Sequence, residues 1–305
     1  MSAPPTDAPF PPAAQVLVDF VPRKGFFVGI DSDGCAFDAM EIKHKECFIP
    51  NTIKHWNLQP VSSPGDGGVR QPVLHEPRSE PLDRAGPCVR PPRPAPGGRR
   101  PRVSVPTGDR IKEFIASGYP LSAAGLEKYA AGHPDPELDT ALAWTAGVDA
   151  AIEDMVKGVP PFPRVKDSLV AMHDQVDLMV VSATPFDALA REWSEHGLAP
   201  YMDVIAGQEM GTKAQHIQYA AKGKYDDDRI LLIGDAPGDR DSADATGVRY
   251  YPINPGHEAE SWERFHDEAL ARFLEGSYAG EYEAALIAEF EALLPDTPPW
   301  QTQTP

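Results

Sequence analysis

Short apolar runs that end abruptly in polar residues and glycine most constrain the fold of this 305-residue chain. Four clear runs and a less clear fifth lie at residues 25–30, 178–181, 204–206, 230–233 and 248–253. Patterns typical of amphipathic helices follow the second, third and fourth runs, over residues 186–196, 213–222 and 242–246. Buried strands that alternate with helices predict an α/β fold with a parallel sheet.

A long insertion separates the first two runs. It spans about 140 residues, far more than a crossover between neighbouring strands requires. Apolar periodicity predicts helices within it over residues 107–116, 122–131 and 136–157. The predicted organisation is a core at 21–40 and 160–260, a helical insertion at 41–159, two C-terminal helices within 261–294, and tails at 1–20 and 295–305.

Residues 61–106 differ in composition from the rest of the chain. They contain 11 of the 34 prolines and eight arginines, but no lysine and no aromatic residue. Two interpretations stay open: a disordered linker, or a segment translated from a shifted reading frame of GC-rich DNA. Both predict irregular or disordered chain here, with no function for the arginines.

The charge and apolar pattern of the chain exclude several functions. A formal net charge of −18 argues against nucleic-acid binding, which needs a basic surface to neutralise phosphates. No apolar run is long enough to span a membrane, and the N-terminal residues lack the basic and apolar stretches of a signal peptide. Three cysteines without a CxxC pair give no disulfide framework. We expect a cytoplasmic protein with neither nucleic-acid nor membrane partners.

Carboxylates follow the first and fourth apolar runs directly. Asp31 and Asp33 come after the first run, and Gly34 allows the chain to bend there. Asp235 and Asp239 come after the fourth run. Carboxyl ends of parallel strands meet at one edge of a sheet, where ligands bind. Several carboxylates at that edge form a hard-oxygen site that suits Mg²⁺.

A hydroxyl and a lysine follow the second and third runs. Ser182 ends the second run, where its hydroxyl could hydrogen-bond a phosphate oxygen or cap the next helix. Lys213 begins the helix after the third run, a position that also suits a lysine at the solvated surface. Neither residue by itself shows whether it binds phosphate or only caps a helix or lies at the solvated surface.

In this order, the four segments resemble the motifs of the haloacid dehalogenase-like (HAD) superfamily. The matched residues are Asp31, Asp33, Gly34 and Asp38 for the first motif, Ser182 for the second, Lys213 for the third, and Asp235 and Asp239 for the fourth. The resemblance covers residues 25–40 and roughly 165–255, and its first and fourth motifs are the specific ones. Cys35 departs from the family, which more often has threonine or another small residue there.

The resemblance implies a Rossmann-like core with an inserted helical cap, and a Mg²⁺-dependent phosphatase that acts on a small phosphorylated metabolite. Asp31 would be the nucleophile that forms an aspartyl-phosphate, and Asp33 would be the general acid and base. Ser182 and Lys213 would bind the phosphoryl oxygens. The implied ligands of Mg²⁺ are Asp31, the backbone carbonyl of Asp33 and Asp235, and Asp239 would be either a further ligand or a residue that contacts the ligands.

Two alternatives stay open at this point. A phosphomutase of the same superfamily would use the same aspartates and return the phosphoryl group to a sugar. A non-catalytic HAD-like binding protein would fit if the insertion does not form a working cap. Asp33 favours phosphoryl transfer over dehalogenation, because dehalogenating members generally lack this second aspartate.

Overall fold

The structure is a computed structural model that describes residues 11–59, 107–119 and 122–294. The segment 61–106 and the C-terminal tail at 295–305, both discussed above, lie outside the described residues. By their contacts, the described residues divide into two units. One unit contains the chain up to Met40 and from Gly158 onward, and the other contains described residues between Glu41 and Lys157.

A five-stranded parallel sheet forms the centre of the first unit. Its strands are β1 (Phe26–Ile30), β2 (Val176–Val181), β3 (Val204–Ala206), β4 (Ile230–Gly234) and β5 (Arg249–Pro252). The order in the sheet is β3-β2-β1-β4-β5, and each neighbouring pair is parallel. The predicted α/β fold with a Rossmann-like parallel sheet is confirmed.

Helices connect these strands and also form the second unit. In chain order they are α1 (Gln15–Val18), α2 (Ala39–Ile42), α3 (Ile49–His55), α4 (Asp109–Ala116), α5 (Ala123–Gly132), α6 (Pro136–Met155), α7 (Val165–Met172), α8 (Phe186–Glu195), α9 (Lys213–Ala220), α10 (Pro237–Thr246), α11 (Glu258–Arg264), α12 (Leu270–Glu275) and α13 (Glu281–Leu293). Two π-helical segments, Lys43–Phe48 and Phe265–Ala269, continue α2 into α3 and α11 into α12.

The central strands are buried along almost their whole length. Every residue of β2 and β4 is buried, and so is β1 after Phe26. Strands covered on both faces show continuous apolar runs rather than alternation, which explains the pattern in the sequence. The core around the sheet includes Phe27, Met179, Val181, Ile217, Ile230, Leu232, Tyr250 and Phe290.

The sheet order changes direction at β1. Strands β2 and β3 continue to one side of β1, whereas β4 and β5 lie on the other side. In open α/β sheets, ligands bind at such a change of direction, beyond the carboxyl ends of the strands. The register pairs Ile30 with both Val180 and Ile233, so the residues that follow these three strands reach the same edge.

The N-terminal prediction needs a correction over residues 11–20, which are not a tail. Pro12–Ala14 forms a 3-10 turn that leads into α1, and Ala14 and Leu17 are completely buried against the sheet core. The ammonium group of Lys224 donates hydrogen bonds of 2.8–2.9 Å to the backbone carbonyls of Leu17, Val18 and Phe20. An apolar face of two short turns is too brief to stand out in a proline-rich segment.

Besides α1, two helical segments of the described residues are missing from the sequence-based prediction. The first runs from Ala39 to His55, where the π-helical turn widens the helix and interrupts the 3.6-residue repeat of apolar positions. The second is α7, which has only eight residues. In addition, α10 begins five residues earlier than predicted, because Pro237 suits the first helical turn.

The second unit is helical throughout its described residues, as the periodicity of the insertion predicts. Its core contains Trp56, Leu58, Ile111, Phe114, Leu126, Tyr129, Leu138, Ala141, Trp144 and Val148. The indole N–H of Trp144 donates to the Thr52 hydroxyl at 3.1 Å, which ties α6 to α3. Within the described ranges, no helix combines the length and the apolar character that crossing a membrane requires.

Candidate active site

A tight turn after β1 places Asp31 at the carboxyl edge of the sheet. The Asp31 N–H donates to the Ile233 carbonyl at 3.0 Å, which extends the pairing of β1 with β4 by one residue. The chain then folds back, and the Phe37 N–H donates to the Ser32 carbonyl at 3.0 Å. Gly34 has a φ of 80°, a left-handed conformation that a residue with a Cβ atom adopts only at a cost. The turn therefore depends on the glycine of the first motif.

Three of the predicted carboxylates meet at the ends of β1 and β4. One oxygen from each of Asp31, Asp235 and Asp239 lies within 4.8 Å of the other two. These residues are only 4%, 1% and 0% exposed. The structure thus brings together aspartates that are about 200 residues apart in the sequence, as expected for neighbouring parallel strands.

The ammonium group of Lys213 joins this carboxylate cluster. It lies 3.0 Å from Asp31 Oδ2 and 2.6 Å from Asp239 Oδ1. Lys213 is the first residue of α9, and a reciprocal capping box between Thr212 and Gln215 fixes the start of that helix. A local helix signal therefore positions a lysine whose partners come from other parts of the chain.

The side chain of Asp239 folds back over the end of β4. Its Oδ2 accepts the Ala236 N–H at 3.1 Å, while its Oδ1 contacts Lys213. This path passes directly over Gly234, where an added Cβ atom would lie 2.4 Å from the Cβ and Cγ atoms of Asp239. Glycine at position 234 is therefore required for the observed place of Asp239.

Gly234→Ala is accordingly expected to lower the free energy of unfolding by about 1–3 kcal/mol, the usual cost of an extra methyl group in a packed site. Urea denaturation followed by circular dichroism would measure it. Gly238→Ala is the matched control, since an added Cβ atom there meets nothing within 4 Å. Equal losses in the two variants would contradict the packing described for Gly234.

The charges in the cluster do not balance. Counted over these four buried groups, ionised Asp31, Asp235 and Asp239 with one ammonium group carry an excess of two negative charges. Burial raises the pKa of Asp31 well above its ordinary value, and the charges of Asp239 and Asp235 raise it further against the lowering effect of Lys213. Burial alone lowers the pKa of Lys213, but Asp239 and Asp31 outweigh it and hold that pKa well above normal.

The imbalance is the kind that a divalent cation corrects. The donors are carboxylate oxygens, which hard cations such as Mg²⁺ prefer, and they are close enough to share one small ion. The positive charge of such an ion would offset the excess negative charge of these four groups. The residues present therefore fit Mg²⁺, with Asp31, Asp235 and Asp239 as side-chain ligands.

Asp33 and Ser182 follow β1 and β2 at the same edge of the sheet, and both contact Thr184. The Thr184 hydroxyl donates to Asp33 Oδ2 at 2.7 Å, so this carboxylate faces the loop after β2. Ser182 is buried, and its Oγ accepts the Thr184 N–H at 3.2 Å. The carboxylate of Asp33 is not one of the three that meet, and Asp38, the last residue of the first motif, is exposed.

Two further groups beside the cluster stay uncharged. Burial raises the pKa of the Cys35 thiol well above its ordinary value, and the charge of Asp31 raises it further. Cys35 is therefore a thiol rather than a reactive thiolate. Burial, followed by the charge of Lys213, lowers the pKa of His216 to about 4, so this imidazole is neutral at pH 7. Neither group therefore offers a charged nucleophile beside the cluster.

Thr184 and Gly234 are the site residues that the sequence does not single out strongly. A threonine two residues after a strand is equally suited to capping a helix, and a glycine before an aspartate is common in turns. Only the three-dimensional contacts show that Thr184 meets Asp33 and that Gly234 makes room for Asp239.

Comparison with known proteins gives likeness of fold only. No protein-family model matches the chain, and no curated protein matches it. A HAD-like hydrolase from Streptococcus pneumoniae is 15% identical, with 80% of this chain and 92% of that chain covered and a TM-score of 0.45. A HAD-superfamily hydrolase from Geobacter sulfurreducens is also 15% identical, with 76% of this chain and 89% of that chain covered and a TM-score of 0.40.

A HAD-hydrolase from Bacillus subtilis, described as bound to magnesium, is 12% identical, with 80% of this chain and 100% of that chain covered and a TM-score of 0.43. All three TM-scores lie below 0.5, so these likenesses support neither a shared activity nor a shared substrate.

Proposed function

We propose that the protein is a Mg²⁺-dependent phosphatase that hydrolyses a small phosphorylated metabolite through an aspartyl-phosphate at Asp31. The buried meeting of Asp31, Asp235 and Asp239 with Lys213 carries this proposal. An excess of buried negative charge opposes folding, so its presence favours a binding and catalytic role over a stabilising one. Lysine beside the nucleophile adds the positive charge that an approaching phosphoryl group needs.

The proposed metal ligands are Asp31, Asp235, Asp239 and the backbone carbonyl of Asp33. Bound Mg²⁺ would offset the negative charge of the phosphoryl oxygens, so that an anionic substrate can approach anionic side chains. The chain's own residues then carry the covalent steps and the proton transfers.

In the proposed first step, a carboxylate oxygen of Asp31 bonds to phosphorus while the ester bond from phosphorus to the leaving oxygen breaks. Protonated Asp33 gives its proton to the leaving oxygen, and the leaving group departs as an alcohol. The hydrogen bond from Thr184 to Asp33 Oδ2 supports this role, because it holds the carboxyl group in one orientation. Ser182 is proposed to donate its hydroxyl to a phosphoryl oxygen.

In the proposed second step, Asp33 is a carboxylate and takes a proton from water while the water oxygen bonds to phosphorus. The bond between phosphorus and Asp31 breaks, which releases inorganic phosphate and restores the Asp31 carboxylate. The contact of 3.0 Å from Lys213 to Asp31 Oδ2 stabilises the negative charge that returns to this group.

Hydrolysis of p-nitrophenyl phosphate is expected to depend on Mg²⁺, with a loss of about 100-fold or more in EDTA. Mg²⁺ is also expected to raise the midpoint of thermal unfolding by several degrees, since a ligand at 100 times its Kd stabilises by about 2.7 kcal/mol. The thermal shift reports metal binding without any need for turnover.

The control for metal binding uses two variants. Asp235→Asn is expected to reduce the thermal shift and the rate, whereas Asp241→Asn, at an exposed position of α10, is expected to leave both unchanged. Full activity in EDTA would contradict the proposed function. So would the absence of Mg²⁺-dependent release from p-nitrophenyl phosphate and from a panel of phosphorylated metabolites.

A further inference from the structure

We infer that Trp193 and Trp262 are positioning residues that clamp the turn carrying the nucleophile. This turn, residues 31–37, is called the β1 turn below. The inference rests on the proposed function, because the turn matters for catalysis only if Asp31 and Asp33 act as proposed. Each indole N–H group donates to a different point of the β1 turn, one from a helix of the core and one from the C-terminal helices.

The first half of the clamp comes from α8. Trp193 Nε1 donates to Ser32 Oγ at 2.9 Å, and the Ser32 hydroxyl donates to Glu192 Oε2 at 3.0 Å. Ser32, which separates Asp31 from Asp33, is completely buried, as is Trp193. Two consecutive residues of α8 thus orient the Ser32 hydroxyl, one as its donor and one as its acceptor. This hydroxyl lies between the two proposed catalytic aspartates in the sequence.

The same indole also holds the far end of the β1 turn. The ring of Phe37 packs edge-on against Trp193, with ring centroids 5.5 Å apart and an interplanar angle of 78°. Phe37 is the residue whose N–H closes the turn onto the Ser32 carbonyl. Trp193 therefore contacts the turn at its start and at its end.

The second half of the clamp comes from α11, 227 residues along the chain from the β1 turn. Trp262 Nε1 donates to the backbone carbonyl of Cys35 at 2.8 Å, and both residues are completely buried. Helix α11 is itself fastened to the sheet, since the Tyr251 hydroxyl donates to the Ser261 carbonyl at 2.6 Å. The C-terminal helices are thereby connected through one hydrogen bond to the middle of the turn.

These contacts concern geometry as well as stability. Buried indole N–H groups require an acceptor, and here both acceptors belong to the β1 turn. The turn carries Asp31 and Asp33, whose reacting oxygens must be placed to within fractions of an ångström, because a misplacement of about 1 Å can cost 100-fold in rate. Loss of either N–H donor should therefore slow the chemical steps while substrate binding changes little.

The test compares Trp193→Phe and Trp262→Phe with Tyr278→Phe. The first two keep an aromatic ring and remove one donor to the β1 turn. The buried Tyr278 hydroxyl donates to the backbone carbonyl of Tyr250 in β5 at 2.6 Å. Tyr278→Phe therefore also removes a buried hydrogen-bond donor, but one that does not contact the β1 turn. We expect kcat to fall about tenfold in each tryptophan variant with KM within twofold, and kcat of Tyr278→Phe to stay within twofold.

A double-mutant comparison separates the two halves of the clamp. Ser32→Ala removes the acceptor of Trp193, so Ser32→Ala combined with Trp193→Phe is expected to lose no more kcat than the larger single effect. Trp193→Phe combined with Trp262→Phe is expected to multiply the two losses. If Trp262→Phe does not fold, Ser32→Ala and Trp193→Phe test the clamp through the α8 half.

Hydrogen exchange of the backbone amides in residues 32–37 provides a readout that needs no turnover. The tryptophan variants are expected to exchange faster there than wild type, and Tyr278→Phe is not. If wild type hydrolyses no phosphate ester, the proposed function fails while the exchange result still decides the clamp. Unchanged exchange and unchanged kcat in both tryptophan variants would overturn the inference, as would an equal loss of kcat in Tyr278→Phe.

Discussion

Asp31→Asn is expected to lower the rate of phosphate-ester hydrolysis by about 10⁴-fold or more while the protein stays folded. Asparagine has nearly the same shape as aspartate, but its amide cannot form the acyl-phosphate bond on which the proposed first step depends. The β1 turn should persist, because the backbone hydrogen bond from Asp31 to Ile233 does not involve the side chain. Steady-state kinetics with p-nitrophenyl phosphate and Mg²⁺ would measure the loss.

Although Asp31→Asn should abolish activity, it is not expected to destabilise the metal-free protein. Burial raises the pKa of Asp31, so folding favours its protonated form, and the ionised carboxylate opposes folding at pH 7. Asparagine carries no charge and avoids this cost. In EDTA, Asp31→Asn should therefore unfold at the same temperature as wild type or higher, whereas with Mg²⁺ wild type should gain more stability than the variant.

Asp241→Asn is the matched control, since it removes one carboxylate from an exposed position of α10. It is expected to leave both the rate and the thermal midpoint unchanged. A rate within tenfold of wild type for Asp31→Asn would contradict the role of Asp31 as nucleophile. A large loss of stability in EDTA would contradict the electrostatic description of the site.

Lys213→Met is expected to lower both stability and activity. Without its ammonium group, Asp31 and Asp239 would lose the cation that both of them contact. Removing one partner from a buried ion pair typically lowers the free energy of unfolding by about 3 kcal/mol or more. Removing a group that stabilises transferring charge typically lowers the rate about 10²- to 10³-fold.

The comparison variant is Lys222→Met. Lys222 pairs with Asp227 at 2.7 Å, but the Asp227 side chain is 59% exposed, so this pair is worth less than about 1 kcal/mol. Urea denaturation in EDTA should therefore show a much larger loss in the free energy of unfolding for Lys213→Met than for Lys222→Met. Added Mg²⁺ should recover part of the stability of Lys213→Met, because the metal ion supplies the missing positive charge. Equal losses for the two variants would contradict the buried position of Lys213.

The sequence predicts much of this architecture because two signals are local. Continuous apolar runs show which strands are buried on both faces, and all five predicted strands are present. Polar residues directly after these runs mark the edge of the sheet where a site can form. The prediction that Asp31 and Asp235 share this edge follows from these signals, and they lie close together because β1 and β4 are neighbours in the sheet.

The features that the sequence does not predict depend on distant or interrupted contacts. Trp262 has no periodic or motif signal that points to Cys35, since the two are 227 residues apart. The π-helical segment Lys43–Phe48 breaks the repeat on which a helix prediction relies. The short turns at residues 12–18 are held by Lys224 from another part of the chain, so their composition alone suggests a tail.

The central claim is that Asp31 carries the phosphoryl group during turnover. The direct measurement is to quench the protein with acid during hydrolysis of a phosphate ester, reduce it with sodium borohydride, and map its peptides by mass spectrometry. Borohydride converts an aspartyl-phosphate to homoserine, so homoserine is expected at position 31 and at no other aspartate. Active turnover with unmodified Asp31, or with homoserine at a different position, would contradict the proposed mechanism.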